Sequence, residues 1–206
     1  PYSFRMQGGP DRLVLGGREI PLLPMPVRAA AMHQGMELLG TSFEVLLGMD
    51  AMKSWTWDIS WEAGKVRVTP SGATESFGTW LPLEPSLGKW DGSCPSFRAE
   101  GGRSRVLLDT GAELSYVVGS IPPTAAEVDS SQDYNPILGF FESPVWEDRL
   151  EVHGHTIPIR FGRLPAAGET LLRGHGARWV VGRDLTRSFR VILSFPTGRL
   201  GLLAHE

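Results

Sequence analysis

The chain has 206 residues, which is enough for one sizeable domain or two small lobes. Its net charge of −3 is small, so no nucleic-acid-binding face is expected. A single cysteine, Cys94, excludes an intramolecular disulfide framework and a metal site built from several cysteines. No apolar run reaches membrane-spanning length, so we expect no membrane partner. No targeting segment is visible after Pro1, so the sequence leaves the compartment open and gives the cytoplasm only a slight preference.

The first third of the chain predicts strands and one short helix. Short apolar runs at residues 13–15 and 20–23 flank a Gly-Gly turn, and residues 43–48 are typical of a buried strand. Residues 50–55 predict one or two helical turns. Residues 57–68 predict a hairpin, because apolar residues alternate on both sides of a turn at Gly64.

A segment rich in Pro, Gly and Ser follows and predicts a connector over residues 71–94, which we expect to be partly ordered by Trp80, Leu81 and Trp90. Strands resume at Ser96, and residues 104–108 run into Asp109-Thr110-Gly111-Ala112. A carboxylate at such a strand-to-turn junction is suited to catalysis, since Gly111 allows a substrate or backbone to approach closely. Two such aspartates sharing one proton activate water for attack on a peptide carbonyl, because their like charges separate their pKa values. One aspartate alone cannot do this.

The chain also contains an internal repeat. Residues 4–21 recur as residues 141–158, and residues 46–64 recur as residues 180–198. The repeat includes the pairs Asp11 and Asp148, Arg12 and Arg149, Leu13 and Leu150, Ile20 and Ile157, Gly48 and Gly182, Asp50 and Asp184, and Gly64 and Gly198. We therefore expect residues 4–68 and 141–202 to share a fold. Residues 93–140, which include Asp109, have no counterpart in the first copy.

Asp109-Thr110-Gly111-Ala112, together with Val180-Val181-Gly182-Arg183-Asp184 further along the chain, resembles the retropepsin-like and bilobal pepsin-type aspartic proteases. The resemblance implies a mainly β, acid-protease-like barrel in two related lobes. Residues 1–70 would be the second half of an N-terminal lobe that is incomplete at its N-terminus, and residues 95–206 would be a complete C-terminal lobe.

The resemblance also assigns roles in the Asp-Thr-Gly turn. Asp109 matches the catalytic aspartate, and the Thr110 hydroxyl matches the group that locks two active-site loops together. The Gly111 carbonyl matches a group that binds the substrate backbone. Ala112 completes the turn, under which residues 180–182 would pack.

Two further sets of residues receive roles in the same way. Glu113 and Arg183 match an acid and an arginine, and we expect them to form an ion pair beneath the active site. Leu138, Gly139 and Phe140 fall at the tip of the flap, a hairpin that closes over substrate and excludes water.

The expected function is hydrolysis of peptide bonds in a peptide or protein by water held between two aspartates, with no cofactor, metal or covalent intermediate. Asp109 would be one aspartate. The repeat spacing places the other upstream of Pro1, so an N-terminal fragment with a second Asp-Thr/Ser-Gly or a homodimer partner would supply it. The alternative is a non-catalytic peptide-binding or scaffold protein that lacks a complete dyad.

Other polar residues are interpreted as structural. Asp50 and Asp184 each follow a glycine at a helix start, so they are expected to cap helices. Asp129 is expected in a loop before the flap, and Ser115 has no inferable His or Asp partner for catalysis. Surface positions beside turns, not metal ligation, are expected for three histidines, namely His153, His155 and His175.

Overall fold

The computed structural model describes residues 12–15, 18–21, 48–70, 80–90, 93–135 and 138–205. Over these residues the chain is mainly β, as predicted, with fifteen strands and three short helices. The strand predicted at residues 43–48 lies outside the described residues except for Gly48, and so do residues 136 and 137, which precede the predicted flap-tip residues.

The strands and helices follow one another in a simple order. The strands are β1 (Arg12–Leu15), β2 (Arg18–Pro21), β3 (Trp55–Ser60), β4 (Lys65–Pro70), β5 (Trp80–Pro82), β6 (Glu84–Pro85), β7 (Pro95–Ala99), β8 (Ser104–Leu108), β9 (Ser115–Val117), β10 (Ala126–Asn135), β11 (Gly139–Val152), β12 (His155–Gly162), β13 (Trp179–Val181), β14 (Arg190–Ser194) and β15 (Arg199–Leu203). The helices are α1 (Met49–Met52), α2 (Ala166–Gly174) and α3 (Arg183–Ser188).

The described strands lie in three sheets. β1 and β2 form a hairpin, and five strands form a sheet in the order β4-β3-β14-β15-β5. The largest sheet has the order β10-β11-β12-β9-β13-β8-β7-β6, in which β13 is parallel to β8 and β9 is parallel to β12. Each of these sheets has two edges, and the described strands form no closed barrel.

The central strands of the largest sheet are covered on both faces. Val106, Leu108 and Val181 belong to the main hydrophobic core, whereas Leu107 and Val180 belong to a second cluster. Successive residues of a strand point to opposite faces, so the unbroken apolar runs that precede Asp109 and Gly182 are those of strands buried on both sides.

The repeat recurs in the strand register. Leu13 pairs with Ile20 in the β1–β2 hairpin, and Leu150 pairs with Ile157 in β11 and β12. Leu150 is the counterpart of Leu13 in the second copy, and Ile157 is the counterpart of Ile20. The two stretches therefore form hairpins with the same pairing.

The helix and hairpin that follow also correspond. α1 begins at Met49, and α3 begins at Arg183, the counterpart of Met49 in the second copy. Gly64 and Gly198 close the turns of the two hairpins with φ values of +59° and +61°. This left-handed conformation favours glycine because it has no Cβ.

The two copies meet in the five-stranded sheet through β3 and β14. Asp58 pairs with Ile192, its own counterpart in the second copy, and the flanking pairs are Trp57 with Leu193 and Ile59 with Val191. Replacing each residue by its counterpart in the other copy returns the same set of pairs. The pairing therefore has approximate two-fold symmetry about Asp58 and Ile192.

Part of the predicted connector belongs to the sheets. β5 pairs with β15, with Leu81 opposite Leu200, and β6 pairs with β7. Leu81 and Leu83 are buried in the main core. Their burial gives this half of the segment a packing role in the main core.

The loop predicted at Asp129 is wrong, because Asp129 lies within β10 beside an irregularity in register. β10 is an edge strand, and all ten of its residues are exposed or half-buried. A solvated edge strand needs no apolar alternation, so its polar sequence is hard to distinguish from that of a loop.

A partly buried ion pair joins the two copies, and its removal is predicted to cause a measurable loss of stability. Arg190 donates to both carboxylate oxygens of Asp58 at 2.7 and 2.6 Å, and the Asp58 side chain is only 13% exposed. We expect Asp58→Asn to lower the free energy of unfolding by about 2 kcal/mol, because a bond to a charged group is lost. Urea denaturation measures this change.

The matched control is Glu147→Gln, which removes an ion pair with Arg160 whose side chains are both more than half exposed. This substitution should change the free energy of unfolding by less than about 1 kcal/mol, since solvent screens the charges. Equal effects of the two substitutions would contradict the role assigned to Asp58.

Candidate active site

Asp109 lies where two parallel strands end together. β8 ends at Leu108, whose partner in β13 is Val181. The Asp109 N–H donates a hydrogen bond of 3.0 Å to the Val181 carbonyl. The Asp109 N–H is therefore hydrogen-bonded at the point where the chain leaves the sheet. The Asp109 side chain lies at the carboxyl end of the parallel strands β8 and β13.

The turn after Asp109 orients its carboxylate. The Ala112 N–H donates to the Asp109 carbonyl at 3.1 Å, and the Gly111 N–H donates to Asp109 Oδ1 at 3.0 Å. A Cβ on Gly111 would lie 3.4 Å from the same Oδ1. Asp109, Thr110 and Gly111 are exposed, so the carboxylate is accessible from solvent.

Gly182 closes the turn from below, as the sequence predicts. A Cβ at position 182 would overlap the Ala112 carbonyl oxygen and lie 2.8 Å from the Ala112 Cβ. The Arg183 N–H donates to that carbonyl oxygen at 2.9 Å. Only glycine permits this approach of α3 to the Asp109 turn, because both neighbouring groups belong to the main chain or are fixed directly to it.

The expected ion pair between Arg183 and Glu113 is present. Arg187 lies 3.9 Å from the other carboxylate oxygen of Glu113. The Arg183 guanidinium also lies 5.0 Å from the ring centre of Trp61, at the turn of the first-copy hairpin. Arg183 thus connects the turn carrying Asp109 to the first copy of the repeat.

Asp184 does not cap α3, so that prediction is wrong. The N-cap is Gly182, and no side chain caps the helix. Asp184 instead accepts a bond of 2.7 Å from the Ser115 hydroxyl and one of 3.2 Å from the Arg160 N–H. Burial raises the pKa of Asp184, and these two bonds oppose that rise. Ser115 is fully buried, so it has a structural role; the side chain of Asp50 lies outside the described residues.

The predicted flap residues lie at the end of the long β10–β11 hairpin. The Leu138 N–H donates to Asn135 Oδ1 at 3.2 Å, and Gly139 has a φ of +77°. The ring of Phe140 is 46% exposed and lies 4.9 Å from that of Tyr134.

The hairpin tip also approaches α2. A Cβ placed on Gly168 would lie 2.7 Å from Leu138 Cδ1. Gly168 is buried, and its missing side chain leaves the space that Leu138 occupies. Of the flap-tip residues, Leu138 therefore contacts the protein body, whereas Phe140 faces solvent.

Tyr116 and Asp133 belong to the same site, although the sequence did not indicate them. Tyr116 lies on β9 and donates a hydrogen bond through its hydroxyl to Asp133 Oδ2 on β10. Burial raises the pKa of the Tyr116 hydroxyl, and Asp133 and Asp109 raise it further. The pattern gave no signal, because a tyrosine in an apolar strand and an acid in a polar strand are both ordinary.

The electrostatic setting of Asp109 favours its protonated form. Partial desolvation by the surrounding protein raises the pKa of Asp109, the Gly111 N–H bond lowers it, and the charge of Asp133 raises it. The residue remains exposed at one face of the turn, so solvent still reaches the carboxylate. Its protonation therefore extends to a higher pH than that of an ordinary aspartate.

The three histidines are dispersed. His153 and His155 are exposed beside a turn, and the His155 ring lies 5.2 Å from Phe189. His175 Nδ1 is 2.8 Å from the Ser86 hydroxyl. Among the described residues, no three His, Cys, Asp or Glu side chains are grouped so that they would hold a metal ion.

Comparison with known protein families gave no matching family model, and comparison with curated proteins gave no significant match. In the described part of the chain, no helix is long and apolar enough to cross a membrane.

The close approach at Gly182 predicts a large effect of one methyl group. We expect Gly182→Ala to lower the free energy of unfolding by at least about 2 kcal/mol, because the backbone of Ala112 would have to move. Gly111→Ala is the matched control, since its Cβ meets only ordinary contact at 3.4 Å. That substitution should change stability by less than about 1 kcal/mol, and equal effects in urea denaturation would refute the contact.

The raised pKa of Asp109 predicts a pH-dependent effect of Asp109→Asn. The folded protein keeps the Asp109 proton to a higher pH than the unfolded chain, so stability falls as pH rises from the usual value of 3.8 through the raised folded value. Asparagine has no charge to desolvate, and its amide oxygen can still accept the Gly111 bond.

Asp109→Asn should therefore raise the thermal midpoint at neutral pH and lose this advantage in acid. Thermal unfolding followed across that pH range measures the difference between the two proteins. A difference that stays constant with pH would contradict the raised pKa.

Proposed function

We propose that this chain supplies one half of the catalytic dyad of an aspartic endopeptidase, with Asp109 as its aspartate. The observation that carries the proposal is the Asp109 turn, which packs at Ala112 against Gly182 and leaves the Asp109 side chain exposed to solvent. This arrangement presents a carboxylate at a fixed position with little freedom to turn away, which general acid–base catalysis requires.

The reaction would use a water held between Asp109 and a second aspartate. The unprotonated carboxylate takes a proton from the water as its oxygen attacks the peptide carbonyl carbon. The protonated carboxyl donates its proton to the carbonyl oxygen, which gives a tetrahedral diol. The C–N bond then breaks as the carboxyl that took the water proton passes it to the amide nitrogen, which leaves as the amine, while the other carboxylate takes back a proton from the diol. Like charges side by side separate the two pKa values, so one proton is shared and both roles are filled. The raised pKa of Asp109 supports its place in such a pair.

We further propose an acid-protease-like architecture of two related lobes. Residues 1–70 form the second half of the first lobe, residues 71–94 the connector and residues 95–206 the complete second lobe. The equal hairpin registers and the symmetric pairing of β3 with β14 support this division. The outer edge of β4 carries no described strand, whereas its counterpart β15 is paired with β5.

The second aspartate would come from outside this sequence, since Asp-Thr-Gly occurs once in it. The first copy has Met49 where the second has Arg183, and nothing in it corresponds to the Asp109 turn. An N-terminal fragment with its own Asp-Thr/Ser-Gly, or a second copy of this chain, would complete the dyad. Thr110 is exposed beside Asp109, and its hydroxyl would contact that second turn.

The same single Asp-Thr-Gly favours one other function, that of a peptide-binding or scaffold protein that does not cleave. Such a protein would need the cleft and the flap hairpin but only one carboxylate. The two functions differ in one result, which is whether any peptide is hydrolysed.

Cleavage of a peptide library, from acid to neutral pH, tests the proposal. Asp109→Asn should lower kcat/KM about a thousand-fold or more, because it removes the acid–base group. Asp148→Asn removes an acid that bonds to Thr124 away from the turn, and it should leave cleavage unchanged. If wild-type protein cleaves no peptide, even with the upstream segment restored, the protease proposal fails and the binding function remains.

A mixing experiment identifies the source of the second aspartate. If two copies share one dyad, adding Asp109→Asn protein to wild type captures active partners and lowers the activity per wild-type chain. If an upstream segment supplies the aspartate, the added protein has no effect beyond dilution.

A further inference from the structure

The β10–β11 hairpin, which carries the predicted flap residues, contacts Tyr116 on β9, the strand that follows the Asp109 turn. The Tyr116 hydroxyl donates a hydrogen bond to Asp133 Oδ2, so a side chain of β9 is bonded to β10. Tyr116 is only 6% exposed, so its ring is fixed by packing and its hydroxyl has little freedom. The other oxygen of Asp133 accepts a bond of 2.6 Å from the Tyr134 N–H. Both carboxylate oxygens of Asp133 are therefore held.

The second strand of the hairpin contacts the same tyrosine. Phe141 on β11 pairs directly with Asp133, and its ring centre lies 6.2 Å from that of Tyr116. Phe141 packs against the hydrophobic cluster that contains Tyr116 and Leu107. Tyr116 thus contacts both strands of the hairpin, through a hydrogen bond to β10 and a ring contact to β11.

The Tyr116–Asp133 contact interacts electrostatically with the Asp109 carboxylate. The charge of Asp133 acts on Asp109, and the charges of both aspartates act on the Tyr116 hydroxyl. Tyr116 also lies on β9, the first strand after the catalytic turn. Any displacement of the hairpin would therefore change the surroundings of Asp109.

We propose that Tyr116 and Asp133 are positioning residues whose hydrogen bond anchors the flap hairpin over Asp109. The effect of this hydrogen bond on catalysis rests on the proposed function, whereas its effect on the position of the hairpin does not. A phenol donating to a carboxylate forms a stronger bond than two neutral groups do. Its loss should raise the population of the open hairpin about ten-fold or more.

Hydrogen–deuterium exchange of the hairpin amides tests the anchor without requiring activity. Tyr116→Phe keeps the ring and removes only the donor, and Asp133→Asn removes the charge of the acceptor. Each should speed exchange at residues 131–135 and 139–143 about ten-fold or more. The double substitution should have no larger effect than either alone, because both remove the same bond.

Asp129→Asn is the matched control on the same strand. Asp129 also accepts a bond from the N–H of the residue that follows it, at 2.8 Å, but its other contact is an exposed ion pair with Arg160. This substitution should leave exchange around Asp133 unchanged. Unchanged exchange in both Tyr116→Phe and Asp133→Asn, with far-UV circular dichroism equal to wild type, overturns the anchor. So does equal acceleration in the Asp129→Asn control.

Both variants are mild, because Tyr116→Phe removes only one oxygen and Asp133 is half-buried on an edge strand. If one variant fails to fold, the other still tests the hydrogen bond. Where peptide cleavage is observed, both variants should raise KM more than they lower kcat, since an open flap binds substrate less well. If the exchange result holds and no peptide is cleaved, the anchor stands while the proposed catalytic function fails.

Discussion

The approach of Gly182 to Ala112 is the constraint on which the candidate site depends. Without a side chain at position 182, the start of α3 lies directly against the turn that follows Asp109. The Arg183 N–H then reaches the Ala112 carbonyl, while the Asp109 N–H reaches the Val181 carbonyl. Residues 181–183 therefore hold both ends of the turn formed by residues 109–112. A carboxylate on such a turn keeps its direction because the backbone beneath it cannot relax.

The second organising feature is the symmetric pairing of β3 with β14. It places one strand from each copy of the repeat side by side in one sheet, and the Asp58–Arg190 ion pair joins the two strands. The contact of Arg183 with Trp61 extends this junction to the candidate site. Through Trp61, the first copy therefore contacts the segment that packs against the Asp109 turn.

The acids near the site are held in three different ways. Glu113 is paired with arginine, whereas Asp184 is half-buried and accepts hydrogen bonds from the neutral donors Ser115 hydroxyl and Arg160 N–H. Asp109 is bonded through its carboxylate to a single backbone N–H in the described part of the chain and remains exposed. A carboxylate with unused acceptor capacity and access to solvent can accept hydrogen bonds from water. This difference distinguishes Asp109 from its neighbours, which are otherwise chemically similar.

Local pattern in the sequence was enough to predict the elements that depend on neighbouring residues. The mainly β character, the hairpins, the turn at Asp109 and the repeat follow from alternation, turn residues and spacing, and Gly182 with the Arg183–Glu113 ion pair followed from the family resemblance. Which other polar residues contact one another became known only from the folded chain. Ser115 bonds to Asp184 and Tyr116 to Asp133, although the members of each pair are distant in sequence. Such contacts are set by sheet order and strand register, which bring side chains together without leaving a periodic signal in the sequence.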